Sequence, residues 1–79
     1  MIIAYVREAL ERVEYEKLAD GSYVAEVAGL QGVLGTGETL ESCRTNVAEV
    51  VEEWVLIRVA RGLSVPPLGD VTVAIKHAP

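Results

Sequence analysis

The chain contains no phenylalanine and only one each of cysteine, histidine, tryptophan and methionine in 79 residues. A lone cysteine, Cys43, excludes an internal disulfide. It falls on the apolar side of an expected helix, where a free cysteine acts as a small buried hydrophobe. The lone His77 and the lack of any HxxxH or CxxC spacing leave no recognisable metal centre. Ser22, Ser42 and Ser64 all lack the context of a nucleophile elbow. Gly29, Gly32, Gly35 and Gly37 crowd one short run, but no Lys or Arg occurs between Lys17 and Arg44. The run therefore reads as turns and tight strand packing, not as a phosphate cradle. No cofactor is expected. No apolar run approaches the roughly 20 residues that span a bilayer. The first segment, MIIAYVREAL, is broken by Arg7 and Glu8 and has no basic leader. The expectation is a cytoplasmic protein with no signal peptide and no membrane contact.

Cations are scarce as well, with 7 Lys and Arg against 12 Asp and Glu, a net charge of −5. An acidic surface repels phosphate, so direct nucleic-acid binding is disfavoured and a small basic protein is the better electrostatic match. What is abundant is apolar material, at 51% of residues. A chain of this size forms one domain, 1–79, and buries only about 60% of the surface its unfolded form exposes. So much apolar surface on so small a domain favours oligomerisation or a partner.

The longest periodic stretch is Thr39–Gly62. Thr39 can cap the first free N–H groups, and Glu41 suits the positive end of the helix dipole. Arg58 and Arg61 suit the negative end, Gly62 is a natural left-handed terminator, and Pro66 and Pro67 forbid continuation. Leu40, Cys43, Val47, Val50, Val51, Trp54 and Ile57 form the expected core side. Glu41, Thr45, Glu49, Glu52 and Glu53 form the opposite, solvated side. Leu56, Val59 and Leu63 break that pattern and predict a second apolar stripe, an oligomer interface in the C-terminal half of the helix, the competing reading being that the N-terminal helix folds back over it with Ile2, Ile3 and Val6.

Shorter elements surround this helix. Residues 1–12 predict a helix with Ile2, Val6, Ala9, Leu10 and Val13 on one face and Glu8 paired to Arg12, although Ile2–Val6 is also β-compatible. Residues 13–19 and 22–28 predict a hairpin. A two-residue Asp20-Gly21 turn would set Leu18 opposite Tyr23, Glu16 opposite Ala25 and Tyr15 opposite Glu26. A third strand is expected at 33–36, giving a three-stranded sheet over 13–37. A fourth, alternating Val71, Val73 and Ile75 against Thr72, Ala74 and Lys76, is expected over 70–76. The fold class is therefore α+β in two layers, an N-terminal helix followed by β-β-β-α-β.

The ordered set Asp20, Gly21, Tyr23, Leu30, Gly32, Gly37, Thr39, Leu40, Glu41, Asn46, Trp54, Gly62 and Pro66 resembles the HicB-like antitoxin family. That resemblance covers about two-thirds of the chain. It implies a partial RNase H-like fold and an antitoxin that covers a small, basic, mRNA-cleaving toxin of the HicA type. Two positions depart from the family pattern. Ala28-Gly29 replaces the usual Pro-Asp, and Gln31 replaces the Pro after the leucine, so a looser corner is expected. Many members carry a C-terminal DNA-binding segment. None is recognisable here, so regulation through DNA is not carried over.

The leading expectation is a non-catalytic, antitoxin-like protein-binding module that forms a homo-oligomer, a dimer in its simplest form. Tyr23, Glu26, Glu49, Glu52 and Glu53 are the candidate partner-binding residues. A self-assembling scaffold or ligand-sensing domain is the alternative. A minimal RNase H-like nuclease would need two or more carboxylates from different strands and the helix to converge on Mg²⁺, with Glu14, Glu16, Glu26 and Asp70 as the strand-side candidates.

Overall fold

Two glycines fix how the main helix meets the sheet. The computed structural model describes residues 2–71. In chain order it has α1 (Ile2–Glu11), β1 (Val13–Lys17), β2 (Tyr23–Val27), β3 (Leu34–Gly37) and α2 (Leu40–Ala60). The strands form one antiparallel sheet in the order β1-β2-β3. Helix α2 lies so close over β3 that a Cβ on Gly35 would run into Val47, side chain and backbone alike. A Cβ on Gly37 would meet the backbone of Cys43. The glycine-rich run thus serves close packing, as its lack of cations indicated.

The α+β class and the order helix, three strands, helix match the expectation. Beyond Val71 the expected fourth strand, and with it His77, lies outside the described residues. Val71 itself pairs with Leu68 in an isolated bridge.

Both ends of α2 are built as expected. Thr39 Oγ1 accepts from the Ser42 amide while Ser42 Oγ accepts from the Thr39 amide, each at 3.0 Å. This reciprocal pair satisfies two N–H groups that would otherwise lack partners. At the other end the amides of Gly62 and Leu63 donate back to the carbonyls of Val59 and Arg58. Gly62 has φ +68°, the left-handed conformation that this termination requires.

The hairpin register differs from the expectation by one residue. Lys17 faces Tyr23, Glu16 faces Val24 and Tyr15 faces Ala25. The loop is three residues long, not two: the Leu18 amide donates to the Ser22 carbonyl and the Gly21 amide to the Leu18 carbonyl. Asp20 stabilises this longer loop because its Oδ1 accepts from both the amide and the hydroxyl of Ser22, at 2.9 and 2.6 Å. A one-residue shift reassigns every side chain that shares a face across the two strands. Val13, Tyr15, Lys17, Tyr23, Ala25 and Val27 therefore share the inner face, where α2 packs on β2 and β3 and leaves Tyr15 and Lys17 exposed. Glu14, Glu16, Val24 and Glu26 share the other.

The core is small and half valine. On α2 the buried line is Cys43, Val47, Val51 and Val55, one residue in every four. Leu40 and Ile57, expected on the core side, are about half exposed, while Val55 is fully buried. Val59, expected on the outer stripe, packs against the core. Helix α1 packs alongside α2, and at this end of α2 Val55 and Val59 join the core while Ile57 stays exposed. Tyr5 and Ala9 of α1 are fully buried, and Glu8 and Arg12 form the expected pair. The Tyr5 hydroxyl donates to the Pro66 carbonyl, fastening the segment after α2 across α1. Trp54 is only half-buried, with the Arg58 guanidinium 5.1 Å from its ring centroid. The corner after β2 is held by hydrogen bonds from Leu30 to Val27 and from Val33 to Leu30, with both Leu30 and Val33 buried.

Candidate functional site

The two faces of the sheet differ in chemistry. Across the outer face the pairing gives two rows of residues: Glu14, Glu26 and Leu34, then Glu16, Val24 and Thr36. The carboxylates gather toward β1, and the apolar side chains lie toward β3. Between them is an open depression of about 300 Å³, lined by Glu14, Tyr15, Glu16, Val24, Ala25, Glu26 and Leu34. Leu34 is 47% exposed. Among the described residues no helix or loop covers this face, and the only ion pair lies elsewhere, between Glu8 and Arg12.

The expected partner-binding residues do not form one patch. Glu26 stands on the outer sheet face. Tyr23 is on the inner face, half-buried against the core, with its carbonyl 3.8 Å from the Cys43 thiol. Glu49, Glu52 and Glu53 are exposed on the side of α2 away from the sheet. Of the expected oligomer stripe, Leu56 and Leu63 are exposed and Val59 is turned inward. Ile57, 52% exposed, joins the exposed apolar surface of this helix end.

Of the four carboxylates that are nuclease candidates, three share one face and the fourth stands apart. Glu14, Glu16 and Glu26 meet on the outer face. Asp70 is in the turn between Leu68 and Val71, and the neighbouring Gly69 lies against Arg12 and Glu8. Among the described residues no group of three or more His, Cys, Asp or Glu is arranged to hold a metal ion. Burial pushes the Cys43 thiol above its ordinary pKa, which works against a thiolate. Tyr5 is likewise raised by burial, with Arg58 opposing the shift. No described helix is long and apolar enough to cross a membrane.

The outer-face cluster of Glu14, Glu16, Val24 and Leu34 escaped sequence reasoning as a unit. The signal was present in VEYEK, where glutamates alternate at the strand period. With the register slipped by one residue, Glu14 and Glu26 fell on opposite faces.

The edges of the sheet are also unlike. The outward amide of Thr36 on β3 donates to Asn46 Oδ1 of α2 at 2.9 Å, which occupies one of the N–H groups that edge would offer a further strand. On the other side β1 has no strand partner among the described residues.

Comparison with known proteins gives a family match and a structural match. A family model described as UPF0150-like matches residues 4–66. The crystal structure of TTHA0281 from Thermus thermophilus superposes with a TM-score of 0.88 at 38% sequence identity. That match covers 96% of this chain and 95% of the other. No curated protein matches the chain significantly.

Proposed function

The chain belongs to the UPF0150-like family, whose model spans residues 4–66, and from that premise we propose that it is an antitoxin-like module. It works in the cytoplasm by binding a small, basic HicA-type toxin directly and blocking mRNA cleavage, with no catalysis of its own. One observation carries this reading. The residues of the HicB-like set occupy built positions in order. Asp20 and Gly21 make the turn, Leu30 fills the corner, Gly37 admits the helix, Thr39 caps it, Asn46 bonds to the β3 edge and Gly62 ends it. A set of this kind specifies one framework, which supports transfer of the family's role. The acidic surface supports a cationic partner.

The protein also self-associates, a dimer being the simplest form, through the end of α2. Leu56 and Leu63 are 48% and 44% exposed there, and pairing such side chains across a two-fold axis stabilises a small domain. Calorimetry against a HicA-type toxin encoded beside this protein tests the first claim. Tight binding with loss of RNA cleavage is expected. No heat of binding, with cleavage undiminished, overturns the function. Light scattering of wild type and Leu56→Glu/Leu63→Glu tests the second. A wild type of monomer mass, or a double variant of unchanged mass, overturns self-association.

A further inference from the structure

Resting on that reading, we infer that the outer face of the sheet, and not the glutamate side of α2, receives the partner, and that the partner element is an amphipathic helix with Lys or Arg along one flank. The face is unpartnered on its whole width among the described residues. Its β3 side is apolar: Val24 of the central strand is half-buried and Leu34 of β3 is 47% exposed. Apolar surface beside charged surface suits a protein partner.

The charge fixes what can sit there. Glu14 stands directly opposite Glu26, and like charges so placed destabilise a sheet. A cationic occupant relieves that repulsion. Nucleic acid and anionic lipid have the wrong sign. A second copy docking face to face would set three glutamates against three more.

Dimensions fix the shape. Three strands spaced about 4.8 Å apart make a strip roughly 10–14 Å wide, close to the diameter of a helix with its side chains. Strands of five residues are about 17 Å long, the length of about 11 helical residues. Such a helix would add a third layer, opposite α2. Because the carboxylates lie toward β1 and the apolar residues toward β3, its cations align along β1 and its apolar stripe along β3.

The test titrates the full chain with a synthetic helical peptide that carries a leucine stripe flanked on one side by lysines. Methyl and amide NMR map the contact, and calorimetry gives the affinity. Shifts are expected at Val24 and Leu34. Glu14→Gln/Glu26→Gln is expected to bind about tenfold more weakly, with a melting temperature equal to or above wild type. Leu34→Ser supplies a second, independent loss of binding. Glu49→Gln/Glu52→Gln/Glu53→Gln is expected to bind as wild type does, and a peptide with glutamate for lysine is expected not to bind.

Shifts centred on α2 overturn the inference. So does wild-type affinity in the outer-face variants, or equal binding of the charge-reversed peptide. Loss of the Val24 and Leu34 signals on concentrating the chain alone would make a second copy the occupant and also overturn it. The toxin separates this claim from the proposed function. A HicA-type toxin bound equally by wild type and Glu14→Gln/Glu26→Gln removes the surface and leaves the function. A toxin that ignores wild type removes the function, and the peptide titration still decides the surface.

Discussion

The inner and outer faces of one three-stranded sheet use alternate residues of the same strands for opposite ends. On the inner face Ala25, Val27, Gly35 and Gly37 are small, and α2 descends until Val47 and Cys43 touch the strand backbone. On the outer face Glu14, Glu16, Glu26 and Leu34 are large and exposed. The inner face is shaped by packing density, where an added methyl is felt. The outer face tolerates like charges in direct opposition, which packing does not explain. On the proposed reading, stability and binding are divided between neighbouring residues of each strand.

The strongest way to break the inner face is Gly35→Val. The new side chain would strike the backbone of Val47, so relaxation must move α2. A loss of roughly 3 kcal/mol or more is expected, a large share of the stability of so small a domain. Urea unfolding measures it. A loss below about 1 kcal/mol would mean that α2 does not lie this close.

Thr39→Ala acts at the end of the same helix and should cost about 1 kcal/mol by removing one half of the reciprocal cap. An unchanged thermal midpoint would place the cap elsewhere.

Asp20 sharpens the comparison, because its turn decides which residues go to which face. Hydrogen bonds from the Ser22 hydroxyl and amide hold its carboxyl below the usual aspartate range. A depressed folded pKa adds stability above the ordinary aspartate value, and that stability is lost as pH falls through the depressed one. Asp20→Ala should therefore be less stable than wild type at neutral pH, with the gap closing in acid. A gap that is constant with pH would deny the carboxylate its role in the loop.

The smallest expected change in stability is on the outer face. Glu14→Gln/Glu26→Gln removes a like-charge pair and should leave stability unchanged or raise it by a few tenths of a kcal/mol. A loss above about 1 kcal/mol would show that these carboxylates serve folding.

Most of this framework was legible in the sequence where a local chemical device fixes the geometry. The Thr39 cap, the Gly62 terminator, the Glu8–Arg12 pair and the Asp20-Gly21 turn all depend on residues a few positions apart. What was misread is either a choice between two local arrangements that the same residues allow or a contact with partners distant in sequence. Asp20-Gly21 fits both a two-residue and a three-residue loop, and only the Ser22 hydrogen bonds select the longer. That single residue moved Glu14 and Glu26 to one face and assembled the cluster. Likewise periodicity alone placed Leu40 and Ile57 inside and Val59 outside, because it carries no information on where α1 packs. Tyr5 gave no sign of its bond to Pro66, 61 residues away.

The division between the faces is tested most directly by methyl NMR of the labelled chain as a HicA-type toxin is added. Val24 and Leu34 on the outer face should shift strongly, while Val27, Val47 and Val51 beneath the sheet stay near their free positions. Shifts confined to Leu56 and Leu63, or a spectrum unchanged by the toxin, would contradict the account.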